Sequence, residues 1–176
     1  MAGGFIFGTL LMAVTLLSDR VSPRLLFFVS AILAGLSNFA AYFIADNGQV
    51  WMFALTRVFT GVFLAGIYPI GMKIAASHYE SGLGGALGWL VGALVIGTAS
   101  PFALAAVDNL DWKLFLIGTS ALAIIGGLVL FILVPDGPHL KKAQKFDPKA
   151  MYVLFSVKEV RGAALGYFGH SYELCK

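Results

Sequence analysis

Cysteine and charge are both scarce in this chain of 176 residues. Its single cysteine, Cys175, cannot form a disulfide within the chain or supply a cysteine-based metal site. Charged residues make up 12% of the sequence, whereas soluble globular domains carry about 25%. Hydrophobic residues make up 59%, and the mean hydropathy is +0.88. The shortage of charge therefore excludes an ordinary soluble domain and predicts an integral membrane protein.

Patterns for nucleotide binding and catalysis are missing as well. The sequence has neither a Walker A pattern nor a Rossmann glycine pattern, so nucleotide-driven transport is not indicated. The segment 77–81 contains serine, histidine and glutamate, but no nucleophile-elbow motif surrounds either serine. The net charge is +3, and the basic residues lie between apolar runs without forming a stripe. We therefore expect no enzymatic activity, no cofactor, no metal and no nucleic-acid partner.

Long apolar runs make up most of the remaining sequence. A membrane helix needs about 20 predominantly apolar residues. The runs that meet this length are 25–45, 51–76, 83–107 and 112–134. A shorter run, 3–17, precedes them and is interpreted as the remainder of a longer helix. Because the runs are continuous and do not alternate, the sequence predicts an all-α fold. We expect a polytopic transmembrane helical bundle of five membrane helices over residues 1–134, surrounded by the lipid bilayer.

Basic residues are concentrated in every second connection between these runs. The first connection holds Arg20 and Arg24, the third has Lys73 at its edge, and the fifth is a strongly basic segment. The second connection holds Asp46 and no basic residue, and the fourth holds Asp108 and Asp111, with Lys113 just beyond. The positive-inside rule therefore places the turn 19–24 and the loop 135–161 in the cytoplasm, and the protein in the cell inner (plasma) membrane.

The last part of the sequence divides into two pieces. Proline and glycine at 135–138 end the fifth apolar run, and 135–161 is predicted to be a central cytoplasmic loop. Within it, 151–157 suits either a short amphipathic helix on the membrane surface or a plain linker. Residues 162–176 turn apolar again and are interpreted as the truncated start of another transmembrane helix. We therefore expect this chain to be a fragment of a longer protein.

Arg57 is the most informative single residue, because it lies about two turns inside the apolar run 51–76. A cation at that depth costs several kcal/mol unless it faces a partner or water. Arg57, Gly61 and Ala65 recur every four residues and share one helix face, which permits either close helix packing or a water path. Two interpretations stay open: a residue facing a cavity, or an arginine that snorkels to the outer headgroups.

Small residues and prolines mark two further helices. Gly84, Gly88 and Gly92 have the i, i+4, i+8 spacing that lets another helix approach closely, and Pro101 permits a bend in the same helix. These residues favour either static helix packing or a sliding and hinging surface. Pro69, in the preceding run, predicts a second bend.

His170 and Glu173 are spaced i, i+3 and would share a face if the last segment is helical. The spacing suits a metal pair or a proton-handling pair. Because no third or fourth ligand is evident, a metal site is not predicted.

The turn 15–24 resembles the signature between helices two and three of the major facilitator superfamily, G-x-L-x-D-R-x-G-R-R/K. The matching positions are Leu17, Asp19, Arg20 and Arg24. Thr15 and Ser22 replace the two glycines, and Pro23 replaces the penultimate base. Two later segments are also similar to this family. The segment 57–61 resembles its fourth-helix R-x-x-x-G sequence, and 135–139 resembles the exit from its sixth helix.

In that family, twelve helices form two six-helix halves, and helices one, four, seven and ten line the central cavity. The resemblance implies that this chain covers helices two to six and the start of helix seven. It implies secondary active transport of a small solute, with a coupling proton and with the remaining helices of the parent transporter as partners. An alternative is a non-transporting membrane scaffold or accessory subunit, which would explain the absence of a first helix.

The resemblance also implies roles for individual residues. Asp19, Arg20 and Arg24 would form a cytoplasmic gating turn, in which charge pairs form and break as the two halves move. Arg57 would bind an anionic group or influence a proton site. The residues expected along the solute or proton path are Arg57, Gly61, His170 and Glu173.

Overall fold

The computed structural model of the chain describes residues 2–45, 49–79, 81–105, 112–138, 156 and 161–162. The chain divides into two compact units, Met1–Ala143 and Gln144–Lys176. The helices of the first unit are α1 (Ala2–Thr15), α2 (Leu17–Arg20), α3 (Pro23–Ala45), α4 (Val50–Leu64), α5 (Tyr68–His78), α6 (Leu83–Ala105) and α7 (Trp112–Leu133). In the second unit, the described residues 156 and 161–162 are helical. The described residues contain no strand, so the all-α prediction is confirmed.

Three stretches of the described chain are long and apolar enough to cross a membrane. They are Pro23–Ile44, Val50–His78 and Trp112–Leu133. Gly3–Thr15 and Leu83–Ala99 are shorter apolar helices. Each of the five predicted runs is therefore an apolar helical segment, and three of them reach spanning length within the described residues.

The span Val50–His78 consists of two helices, α4 and α5, which are separated by a turn at residues 65–67. The proline at position 69 lacks an N–H, and its ring clashes with the carbonyl four residues earlier in a regular helix. Gly66 and Ile67 instead donate their N–H groups to Phe63 and Leu64, three residues back, at 3.0 Å. The helix is therefore interrupted just before Pro69, at the place where that proline predicts a bend, and the interruption divides the span near its middle.

The turn between α1 and α3 contains the short helix α2. Leu16 starts it in the left-handed conformation, with φ 50° and ψ 33°, and Val21 ends it in an extended conformation. Pro23 then occupies the first position of α3. The N–H group at this position has no partner within the helix in any case, so proline, which lacks that group, loses no hydrogen bond there. The left-handed position therefore lies at Leu16 and not at Thr15, the position at which the family signature has its first glycine.

Packing in the first unit centres on α3, which contacts α4, α5 and α7, while α1 packs against α4. The contact between α1 and α4 depends on glycine. A Cβ added to Gly8 would lie 2.6 Å from the Val62 carbonyl oxygen, and one added to Gly4 would overlap the carbonyl of Val58. The contact between α3 and α7 is similarly close, since a Cβ on Gly127 would lie 2.7 Å from the Ala31 Cβ.

The predicted small-residue stripe of α6 is open in this structure. Among the described residues, nothing lies within 4 Å of a Cβ added to Gly84, Gly88 or Gly92. A shallow groove of about 400 Å³ follows this face, and Trp89 beside it is 85% exposed. The backbone of α6 remains helical through Pro101. Packing of another helix on this stripe therefore stays a prediction.

Candidate functional site

The signature turn contacts the chain that follows α7. The Ser22 hydroxyl lies 2.8 Å from both carboxylate oxygens of Asp136, to which it donates its hydrogen bond. Next to it, Gly137 packs so closely on Ser77, in the last turn of α5, that an added Cβ would overlap the serine hydroxyl. The three basic connections that the sequence assigns to one side thus meet at one end of the bundle. We call Ser22, Ser77, Asp136 and Gly137 the end junction.

Two basic residues of the predicted gating turn are described with their side chains. The guanidinium of Arg24 lies over the ring of Phe131 in α7, 5.1 Å from its centroid, and Phe131 stacks on Phe28 of α3 at 4.7 Å. Arg20 is exposed at the end of α2. Asp19 lies within α2, but its side chain is outside the described part of the chain. Arg24 therefore contributes to the contact between α3 and α7.

A small cluster of apolar side chains lies next to the end junction. Its buried members are Leu26, Ile70 and Ile74. The side chains packed on them come from α1, the signature turn, α3 and the end of α7, and they are Met12, Leu17, Val21, Phe27, Leu130 and Val134. This cluster links the signature turn to α5 and α7, so a movement of one of these segments affects the packing of the others.

Arg57 is half-buried and directed at α3. Its Nη2 donates a hydrogen bond of 3.4 Å to the main-chain carbonyl of Asn38, and its Cζ lies 5.2 Å from the ring centroid of Phe53. Its Nε is buried and has no hydrogen-bond partner among the described residues. The guanidinium thus contacts the neighbouring helix α3, and the choice between an arginine that faces a cavity and one that snorkels stays a prediction.

The face that Arg57 shares with Gly61 and Ala65 is closely packed. Gly61 is buried, and Ala65 is fully buried against α1, where its Cβ would lie 2.9 Å from a Cβ on Gly8. In this structure the face is therefore in helix contact at Gly61 and Ala65, and a water path beside Arg57 stays a prediction. A cavity of about 200 Å³ lies on the other side of the bend, between α1 and α5, with Lys73 in its lining.

Asn38 connects Arg57 to α7. Its Nδ2 lies 3.0 Å from the Thr119 hydroxyl, 2.9 Å from the Ser120 hydroxyl and 3.3 Å from the Leu116 carbonyl. Ser120, which is only 3% exposed, donates its own hydroxyl proton to the Leu116 carbonyl at 2.7 Å. We call Asn38, Arg57, Thr119 and Ser120 the polar cluster. It joins α3, α4 and α7, one helix from each of the three membrane spans.

Arg57 could be recognised from the sequence, whereas its neighbours in the polar cluster were not predicted. Asn38 is the only carboxamide in the apolar run 25–45, and Thr119 and Ser120 are adjacent hydroxyl residues inside another apolar run. Polar residues within membrane helices usually find partners on other helices, which is the signal that could have revealed them.

His170 and Glu173 lie outside the described residues. The described part of the chain contains no group of three or more metal-ligating side chains.

The apolar spans, the bend at Pro69 and the polar cluster between helices define a polytopic helical membrane protein. Comparison with known families makes this assignment specific. The model of the Major Facilitator Superfamily matches residues 1–171. The chain therefore belongs to the Major Facilitator Superfamily, a family of membrane transporters, as the sequence motifs had indicated. Among curated proteins and solved structures, none matches the chain.

Proposed function

We propose that this chain forms part of a secondary active transporter, which moves a small solute across the plasma membrane by using an ion gradient, with a proton as the coupling ion. The observation that carries the proposal is the state of Arg57 within the membrane span Val50–His78. Its Nε is buried without a partner among the described residues, and its Nη2 makes one long hydrogen bond. A guanidinium with spare donors in an apolar span is suited to an anionic group of a solute or to influencing a proton site.

The proposed path includes Arg57 and Gly61 on α4, together with His170 and Glu173. Alternating access requires two halves that rock around a site near the middle of the membrane. We therefore assign the complete transport cycle to this chain together with the remaining helices of a parent transporter. The solute and the bilayer are its other partners.

In this proposal, Asp19, Arg20 and Arg24 form the gating turn on the cytoplasmic side, and the loop 135–161 lies on the same side. The contact of Arg24 with Phe131 and the bond between Ser22 and Asp136 support the idea that the turn and the end of α7 move together. A shift of α7 would be transmitted to the signature turn through these two contacts.

Replacement of Arg57 tests the proposed site. The full-length protein that carries this sequence is reconstituted in liposomes containing a pH-sensitive dye, and proton flux is measured on addition of organic anions, organic cations and sugars. The Arg57→Ala variant should reduce the solute-dependent flux by at least about tenfold, because it removes a charge-assisted donor worth ~1.5–3 kcal/mol. The amount of protein inserted in the membrane should be unchanged.

The matched control is Arg161→Ala, which removes the same group from an exposed position and should leave the flux as in the original protein. Arg57→Lys retains the charge but not the planar fork of donors, so an intermediate flux indicates that the geometry of the guanidinium matters. Normal flux in Arg57→Ala would refute the proposed role of Arg57.

A further inference from the structure

A continuous series of hydrogen bonds runs from α7 to Arg57. It begins at the Leu116 carbonyl, which accepts from the Ser120 hydroxyl at 2.7 Å. The Ser120 oxygen accepts from Asn38 Nδ2 at 2.9 Å, and the main-chain carbonyl of Asn38 accepts from Arg57 at 3.4 Å. We propose that Asn38 is a positioning residue for Arg57, and that α7 determines where the guanidinium lies by holding the carboxamide of Asn38.

The donors and acceptors of this series are matched. Because the hydroxyl proton of Ser120 is donated to its own helix, its oxygen is left as an acceptor for α3. Thr119 behaves in the same way, since its hydroxyl donates to the Phe115 carbonyl at 2.9 Å and accepts from Asn38 at 3.0 Å. The two protons of a carboxamide nitrogen can thus both be used on α7. In hydrocarbon, no water is present to replace these hydrogen bonds, so breaking them would leave the carboxamide unpaired. The hydrogen bonds to α7 are therefore favoured.

Among the described residues, little else that is polar holds Arg57, so its position depends on this arrangement. Its contacts are the carbonyl of Asn38 and the ring of Phe53 on its own helix. The carbonyl belongs to α3, and its position relative to α4 changes whenever α3 rotates or slides. The carboxamide of Asn38 opposes that movement, because its hydrogen bonds to Thr119 and Ser120 anchor α3 to α7.

The geometry also brings the two residues to a similar depth. Arg57 lies about two turns after the start of α4 at Val50, and Asn38 lies about two turns before the end of α3 at Ala45. Since α3 and α4 follow each other in the chain, these positions are adjacent across the helix pair. The consequence for transport rests on the proposed function, whereas the positioning itself can be tested without a solute.

The test is nuclear magnetic resonance of the chain in lipid nanodiscs with selectively ¹⁵N-labelled arginine, which reports the Nε–H of each arginine. The signal of Arg57 is assigned by its loss in Arg57→Lys. The test variant combines Thr119→Val and Ser120→Ala, and neither residue contacts Arg57 in the described hydrogen bonds. We expect the Arg57 signal to shift and its hydrogen exchange to become about fivefold faster, as for the loss of one net hydrogen bond. The signals of Arg20 and Arg161 should not change.

The control is Thr98→Val on α6. It makes the same Thr→Val substitution, but the hydroxyl that it removes is exposed. Among the described residues, this hydroxyl bonds only within its own helix, to the Val95 carbonyl at 2.9 Å. This variant should leave every arginine signal in place. If the double variant does not fold, Thr119→Val alone removes one acceptor and is measured instead.

Two results would overturn the proposal. One is an unchanged Arg57 signal in the Thr119 and Ser120 variant, which would mean that packing alone places the guanidinium. The other is an equal change in all arginine signals, which would indicate general loosening of the bundle. Both differ from failure of the proposed function, because normal transport by Arg57→Ala would leave the positioning result intact.

Discussion

Ser22 and Asp136 are 114 positions apart in the sequence, and yet the Ser22 hydroxyl lies 2.8 Å from each oxygen of the Asp136 carboxylate. The serine stands where the family signature has a glycine. A glycine there has no hydroxyl, so this bond belongs to the variant signature of the present chain. It ties the link between α2 and α3 to the segment that leaves α7, and it gives the end junction its polar contact.

The bond between Ser22 and Asp136 can be tested by cross-linking. We expect Ser22→Cys and Asp136→Cys, combined in a Cys175→Ser background, to form a disulfide rapidly under mild oxidation. The hydroxyl and carboxylate atoms are in contact, so the two side chains face each other, and motion of the two segments brings the thiols close enough to react. The measurement is the mobility shift on a non-reducing gel.

The matched control for cross-linking pairs Asp136→Cys with Trp89→Cys, because Trp89 is 85% exposed on α6. That pair should remain reduced under the same conditions. Equal cross-linking in both pairs would contradict the specific contact between the signature turn and the end of α7.

Because α1 packs closely on α4 whereas the glycine face of α6 is open in the described structure, we expect the same substitution to affect stability differently at Gly8 and at Gly88. Gly8→Leu should destabilise the bundle by ~1–3 kcal/mol, since the added atoms would be forced into the Val62 main chain. Gly88→Leu should be neutral or slightly stabilising, because its Cβ meets nothing within 4 Å among the described residues and leucine is a better helix former than glycine. Unfolding in mixed detergent micelles, followed by circular dichroism, measures the difference. Equal losses at the two positions would contradict this account.

The left-handed conformation of Leu16 gives a prediction about backbone strain. A residue with a Cβ costs ~1–2 kcal/mol in this conformation, whereas glycine does not pay that penalty. Leu16→Gly should therefore be more stable than Leu16→Ala by ~1 kcal/mol, although both remove the same contacts of the side chain. The free energies of unfolding of the two variants in detergent give this difference directly.

The neighbouring position supplies the control for this comparison. Leu17 lies in the short helix α2, where the helical backbone favours alanine over glycine. The order of the two variants should thus reverse between positions 16 and 17. If alanine were the more stable variant at both positions, the left-handed conformation of Leu16 would be excluded.

Several features could be read from the sequence because they depend on neighbouring residues. The bend in the second long span follows from Pro69, which removes a hydrogen bond wherever the helix packs. The need of Arg57 for a polar partner or water follows from its position as a charged residue among apolar neighbours. The family assignment follows from short motifs of fixed spacing, and the match over residues 1–171 confirms it.

The pairing of Asn38 with Thr119 and Ser120 could not be read in this way. It joins residues about eighty positions apart, and it depends on the rotation of two helices about their axes. The same limit applies to glycine stripes. Gly4 with Gly8 and Gly84 with Gly88 share the spacing of four residues, but only the first pair is covered by another helix in the described structure.

Composition and run length establish that this is a helical membrane protein, because hydrocarbon requires long apolar segments whose main-chain hydrogen bonds are satisfied internally. Those requirements act within each segment and need no knowledge of its neighbours. Only the packing of the helices determines which residue Ser22 bonds to and which helix Arg57 contacts. It also determines which glycines allow two helices to approach closely. Lipid is as apolar as the side chains themselves, so such choices depend on shape and on the few polar groups that must find each other.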